Sequence, residues 1–111
     1  NRDQATRFIK AYVEGIAYFK NNKKDSLEVL RKKLRMEPAQ EEKYLARIYD
    51  LYASRYFDKS PYPSRRGVET VLEFLAKEEP KAKGADPKSF LDTSIVGELE
   101  ASGFINSLYE K

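Results

Sequence analysis

Apolar residues recur at three- and four-residue steps along most of this chain of 111 residues, and no stretch alternates apolar with polar. That period belongs to a helix of 3.6 residues per turn, not to a strand. The first stripe, from about Asp3 to Asn21, takes in Phe8, Ile9, Tyr12, Val13, Ile16 and Phe19. Gly15 interrupts it at a cost of about 1 kcal/mol against Ala, which predicts a close neighbour there. The polar run Asn21-Asn22-Lys23-Lys24 ends the stripe. Asp25 and Glu28 then have capping-box spacing, with Asn22 as the other candidate cap. Leu27, Leu30 and Leu34 carry a second helix to about Met36. Pro38 suits the first turn of a third helix. Its Leu45, Ile48, Tyr49, Tyr52 and Tyr56 make the longest stripe in the chain, ending near Phe57.

Pro61 and Pro63 push their predecessors toward extended backbone, so Asp58 to Pro63 breaks the helical run. Ser64 is a good cap for a fourth helix that buries Val68, Val71, Leu72 and Leu75. Glu78 to Pro87, with Gly84 and two prolines, reads as a loop. Asp86-Pro87 opens a short turn through Phe90 and Leu91. Asp92, Thr93 or Ser94 caps a last helix through Ile95, Val96 and Leu99. Gly103 is the expected left-handed stop, with Phe104 packing back and Phe104, Ile105 and Leu108 forming one closing turn. The expected fold is all-α: an irregular five-helix bundle with short extra turns, forming a single helical domain or a helical fragment over 1–111.

The composition supports a real core. Hydrophobic residues make up 41% and include 14 aromatics, eight Tyr and six Phe. A chain of this size should bury roughly two-thirds of its unfolded surface. Charge is unevenly spread: residues 1–36 carry ten Lys/Arg against four Asp/Glu, and residues 37–111 carry eleven against fourteen. There is no Cys and no His, which excludes thiol nucleophiles, disulfides, Cys/His metal sites and imidazole proton transfer. No run approaches the ~20 apolar residues of a membrane span, and no signal peptide is visible. The start at Asn1, inside a helical pattern, leads to the expectation of a processed or excised fragment.

No constellation carries an enzymatic signature. Glu41-Glu42, Glu69/Glu73 and Glu78-Glu79 are paired carboxylates, but each pair lies on a polar face or loop among Lys and Arg, where solvation explains it. Asp86, Asp92, Glu98 and Glu100 do not match the spacing of a calcium loop, and the two aspartates read better as caps. The five glycines form no phosphate-binding loop, and the serines have neither a His nor an elbow motif. The basic run Lys20, Lys23, Lys24, Arg31, Lys32, Lys33 and Arg35, beside Tyr18 and Phe19, is the one feature with some pull toward single-stranded nucleic acid. The basic residues of the second helix fill its non-leucine positions, as on any solvated helix face. No catalytic, cofactor-binding or metal residue is assigned, no cofactor is expected, and nucleic acid is not an expected partner.

The order of segments does resemble one family. Phe8-Ile9-Lys10-Ala11-Tyr12-Val13-Glu14-Gly15-Ile16 is similar to a segment of ABC-importer solute-binding proteins of the nitrate/sulfonate/taurine and thiamine-precursor class. The likeness runs on through Phe19 to Lys23, Tyr52 to Phe57, Pro61 to Ser64, Gly67 to Leu72, Phe90 to Ser94 and Leu99 to Ile105. It spans nearly the whole chain, although no single piece is a catalytic signature. The resemblance implies a two-lobed α/β parent, similar to type II periplasmic binding proteins, with this stretch as a helical tail packed largely on the first lobe. It further implies a periplasmic or outer-face location, a small solute bound by the parent, and a membrane permease as partner. No residue here matches a ligand-binding motif of the family, so ligand contacts stay unassigned. The histidine on which eukaryotic thiamine-precursor relatives rely is absent.

Two rivals stand beside transport: a free-standing helical protein-interaction module and a basic nucleic-acid-binding domain. Tyr12, Tyr18 and Phe19 cannot all point one way from a single helix, so part of the first helix is expected to be a partner's seat. Phe8, Tyr12 and Phe19 are the residues expected to carry self-association.

Overall fold

A computed structural model describes residues 1–110, with Glu42 described in its backbone alone. The described residues are helical and contain no strand, as the periodicity predicts. Helix α1 (Arg2–Asn21) opens on Asn1, whose side-chain oxygen accepts the Gln4 amide hydrogen at 3.2 Å. Asp3 in its first turn and Lys20 in its last both suit the helix dipole. A single residue, Asn22, separates α1 from α2 (Lys23–Leu34). Asn22 is the cap position by backbone, but its side chain donates backward to the Tyr18 carbonyl. Asp25 lies inside α2 and accepts the Tyr18 hydroxyl at 2.6 Å, so the capping-box reading does not hold. Arg35 then ends α2 in the left-handed region, with φ of 48°.

The third helix is one rod over 38–56, starting at Pro38 and ending before Phe57 as expected. It is not a uniform α-helix. The α3 turn (Pro38–Gln40) passes into a π segment (Glu41–Leu45), then α4 (Ala46–Leu51), then a second π segment (Tyr52–Tyr56). The Phe57 amide donates to the Tyr52 carbonyl five residues back, at 2.9 Å. Wider turns of this kind displace everything that follows around the axis. The tyrosine stripe is not buried along its length: Tyr49 is buried, while Tyr52 and Tyr56 are exposed and stack edge-on with each other.

The break at Pro61 and Pro63 is present, and Ser64 caps α5 (Arg65–Leu75) by accepting the Gly67 amide hydrogen. Two 3₁₀ turns follow, Pro80–Ala82 and Pro87–Phe90, capped by Glu79 and Asp86. Helix α6 (Ser94–Ala101) starts where the Asp92 carboxylate accepts the Ser94 amide hydrogen at 2.9 Å. Gly103, at φ of 81°, turns the chain into α7 (Phe104–Ser107).

Two small clusters hold these elements. In the first, Val13 of α1 meets Val96 and Leu99 of α6 and Ile105 of α7, with Ile9, Ile95, Phe104, Leu108 and Tyr109 around them. Arg2 pins one end of this layer through Glu98 at 2.6 Å, and the Asn21 side-chain amide pins the other through the Leu108 carbonyl. In the second, Phe19 packs on Tyr49 at 4.8 Å and edge-on against Phe57 at 5.4 Å. The Tyr49 hydroxyl donates to the Phe19 carbonyl at 2.8 Å, with the Lys20 carbonyl at 3.1 Å. The Ser26 hydroxyl also donates to the Phe19 carbonyl, so the Phe19 and Lys20 carbonyls near the end of α1 are satisfied by two side chains. That bond explains why a serine is buried at this point.

Helix α5 belongs to neither cluster. It packs mainly on the two 3₁₀ turns and has no fully buried residue. The chain extends over 48 × 38 × 22 Å with a radius of gyration of 17.7 Å. A compact chain of this length would have about 13 Å.

Candidate interaction surface

The first helix presents two apolar faces. Val13, Ile16 and Ala17 are buried against the rest of the chain. Phe8 and Tyr12, roughly a third of a turn away, are 69% and 47% exposed. Phe19 differs from the other two predicted contact residues. It is half-buried because its ring is already engaged by Tyr49 and Phe57. An open groove runs beside it, lined by Ala11, Tyr12, Gly15, Ile16, Phe19 and Phe57. The close neighbour expected at Gly15 is not supplied by the described residues, since a Cβ added there would meet nothing within 4 Å. Tyr18 lies on a further side of the helix, where Asp25 holds its hydroxyl and raises its pKa.

A second apolar surface lies on α5. Val71, Phe74 and Phe90 are 56%, 66% and 62% exposed, and Leu75 is exposed beside them. Val68, Val71, Leu72, Leu75 and Phe90 line a shallow groove. The expected burial of Val71 and Leu75 therefore does not occur within the chain. The sequence reading did not single out Phe74. Its position three residues after Val71 is the signal that places it on this face.

Most of the polar candidates are engaged locally. Glu69 accepts from Arg65 at 2.9 Å, Glu79 from the Lys81 amide and Asp86 from the Lys88 amide. Glu41 stands 3.9 Å from Arg31, while the Glu42 side chain lies outside the described residues. Glu98 pairs with Arg2. Glu100 accepts from the hydroxyls of Ser60 and Tyr62, tying the proline segment to α6. Burial first and Glu100 second push the Tyr62 phenol up. Among the described residues no three carboxylates converge on a point that would hold a cation.

In the basic run, Arg31 binds Glu28 at 2.6 Å, Lys32 lies 3.6 Å from the same carboxylate and Lys23 pairs with Asp50. The hydrogen bond from Arg31 holds the Glu28 carboxyl below its ordinary range. These pairs neutralise part of the charge that would otherwise face phosphate. Lys24, Lys33 and Arg35 remain exposed. No protein family, curated protein or solved structure matches this chain.

Proposed function

We propose that this chain is the C-terminal helical part of the substrate-binding component of an ABC importer, a protein that captures a small solute for uptake. The observation that carries the reading is the amount of surface left uncovered. The accessible area is 8734 Å², against about 6,300 Å² for a self-contained protein of this mass. Large apolar side chains lie exposed on α1, α2, the 38–56 rod and α5. Helices of this kind need a second body to cover them, and an α/β lobe packed on one side of a helical tail is such a body. The resemblance, which runs in order from Phe8 to Ile105, names the family. In that setting the solute sits between lobes contributed by the parent, the permease docks on the parent, and the location is periplasmic or at the outer face of the membrane.

A free-standing helical interaction module would show the same exposed rings, with a partner protein in place of the lobe. The coding sequence upstream of Asn1 separates the two. An upstream α/β region of domain size, with strands and helices in alternation, is the expected finding. An upstream region without such alternation would sink the transport reading and leave the interaction module.

A further inference from the structure

We infer that the outer face of the 38–56 rod is a docking surface for an anionic phospholipid membrane. The inference concerns this chain's own surface and does not depend on the transport reading. An α turn takes fewer than four residues and a π turn takes more than four. A rod that passes through π, α and π segments over 41–56 therefore brings every fourth residue into line. Burial follows that spacing. Glu41, Leu45, Tyr49, Ala53 and Phe57 form the inward row, and none of them is exposed. Half a turn away, two positions on, stand Lys43, Arg47, Leu51 and Arg55, all exposed. In a uniform α-helix these four would wind by about 40° at each step. The π segments keep them in one row. Tyr44, Tyr52 and Tyr56 are exposed along one flank of it.

The charge of the row selects the occupant. Lys43, Arg47 and Arg55 make no ion pair among the described residues, and the row holds no acid. Asp50, on the flank away from the tyrosines, is neutralised by Lys23 at 3.2 Å. A second copy set against this row would oppose cation to cation. A protein lobe laid over it would take three unpaired cations out of water. A membrane surface suits both parts of the face. Lipid phosphates take the cations, while Leu51 and the tyrosine rings reach the boundary between headgroups and acyl chains. An extended nucleic-acid strand fits less well. Leu51 stands where a cation between Arg47 and Arg55 would follow the phosphates. Tyr52 and Tyr56 are closed edge-on at 5.3 Å, with Phe57 5.4 Å from Tyr52, so these rings leave no slot for a base between them.

Flotation of the whole chain with lipid vesicles tests the docking. The expected result is binding to mixed phosphatidylglycerol and phosphatidylcholine, none to phosphatidylcholine alone, and release as salt rises. Arg47→Gln and Arg55→Gln should each weaken partitioning about fivefold. Leu51→Ser should weaken it too, with helical circular dichroism unchanged in all three variants. Lys24→Gln and Lys33→Gln, at exposed cations of α2, should leave partitioning nearly as it was. Tyr52→Trp introduces the only tryptophan of the chain, and its emission should shift to the blue with the mixed vesicles. No binding to the mixed vesicles, or equal binding to both compositions, overturns the inference. Losses at the α2 cations equal to those at Arg47 and Arg55 assign the effect to general basicity and overturn it as well. So does a tryptophan emission that the mixed vesicles leave unchanged. Binding of a single-stranded oligonucleotide that Arg47→Gln and Arg55→Gln abolish, without vesicle binding, replaces the membrane with nucleic acid.

Discussion

Tyr109 shows how a single group can be placed against its own chemistry. Its ring packs beside the α1–α6–α7 cluster with the Lys59 ammonium 4.4 Å from the ring centre, yet its hydroxyl is shut from solvent with no hydrogen-bond partner among the described residues. A buried hydroxyl left unpaired costs about 1–3 kcal/mol. Tyr109→Phe is therefore expected to raise stability by about 1 kcal/mol in urea unfolding. Burial also pushes the Tyr109 phenol up, so the folded chain holds this proton more tightly than the unfolded one. Its contribution is complete below the ordinary phenol pKa of about 10 and is lost as pH rises beyond it. Melting curves across the alkaline range should fall less steeply for Tyr109→Phe than for the parent chain. Glu28 and Asp92 titrate in the opposite sense. The Arg31 hydrogen bond lowers the first, and hydrogen bonds from the Ser94 hydroxyl and amide lower the second. Both give stability that is present above the usual carboxylate range, near pH 4, and lost as pH falls through it. Because both are exposed, the acid loss should be small and should shrink further in high salt. An acid limb in the melting temperature that salt leaves unchanged would contradict that assignment.

At the scale of elements, burial and stripe part company. Leu45, Ile48 and Leu72 sit on well-marked helical stripes but are only half-buried. Ile105, on a four-residue helix that periodicity barely registers, is 1% exposed. Truncating a fully buried Ile or Leu costs about 2–5 kcal/mol, and Ile105→Ala should fall in that range. Leu45→Ala, Ile48→Ala and Leu72→Ala should each cost less than about 2 kcal/mol, since half the side chain keeps its water. Chemical denaturation of the four variants orders them directly. Equal losses for all four would mean that the 38–56 rod and α5 are covered in solution. In the rod, two π segments interrupt the uniform α register that the stripe assumes, and no residue spacing in that segment announces them.

For the whole molecule, the uneven distribution of buried residues predicts uneven opening. The α1–α6–α7 layer and the junction of α1, α2 and α4 contain the fully buried side chains, while α5 and the two 3₁₀ turns have none. Segments with few buried apolar contacts open at low free energy. Amide hydrogens of α5 are expected to exchange well before those of α1 and α6 under native conditions, as read by mass spectrometry. Protection of α5 equal to that of α6 would show that another surface, from a second copy or another body, covers it.

Helix existence was legible in the chain itself, because three- and four-residue spacing, Ser64, Pro38 and Gly103 act through local geometry and capping that need no distant partner. So was the break at Pro61 and Pro63, where φ and the missing amide hydrogens are fixed covalently. The crowding of aromatics around α1 was legible too, as a count of rings that one face cannot hold. Which rings become core was decided by tertiary contact alone. Phe19 is engaged because α4 and the segment after it bring Tyr49 and Phe57 to it, whereas Phe8 and Tyr12 meet no such element. The tie from Ser60 and Tyr62 to Glu100 links positions some forty residues apart and left no mark in the sequence. Burial depends on where elements meet in space. A residue pattern within one helix sets its apolar faces but not which of them its own chain will cover.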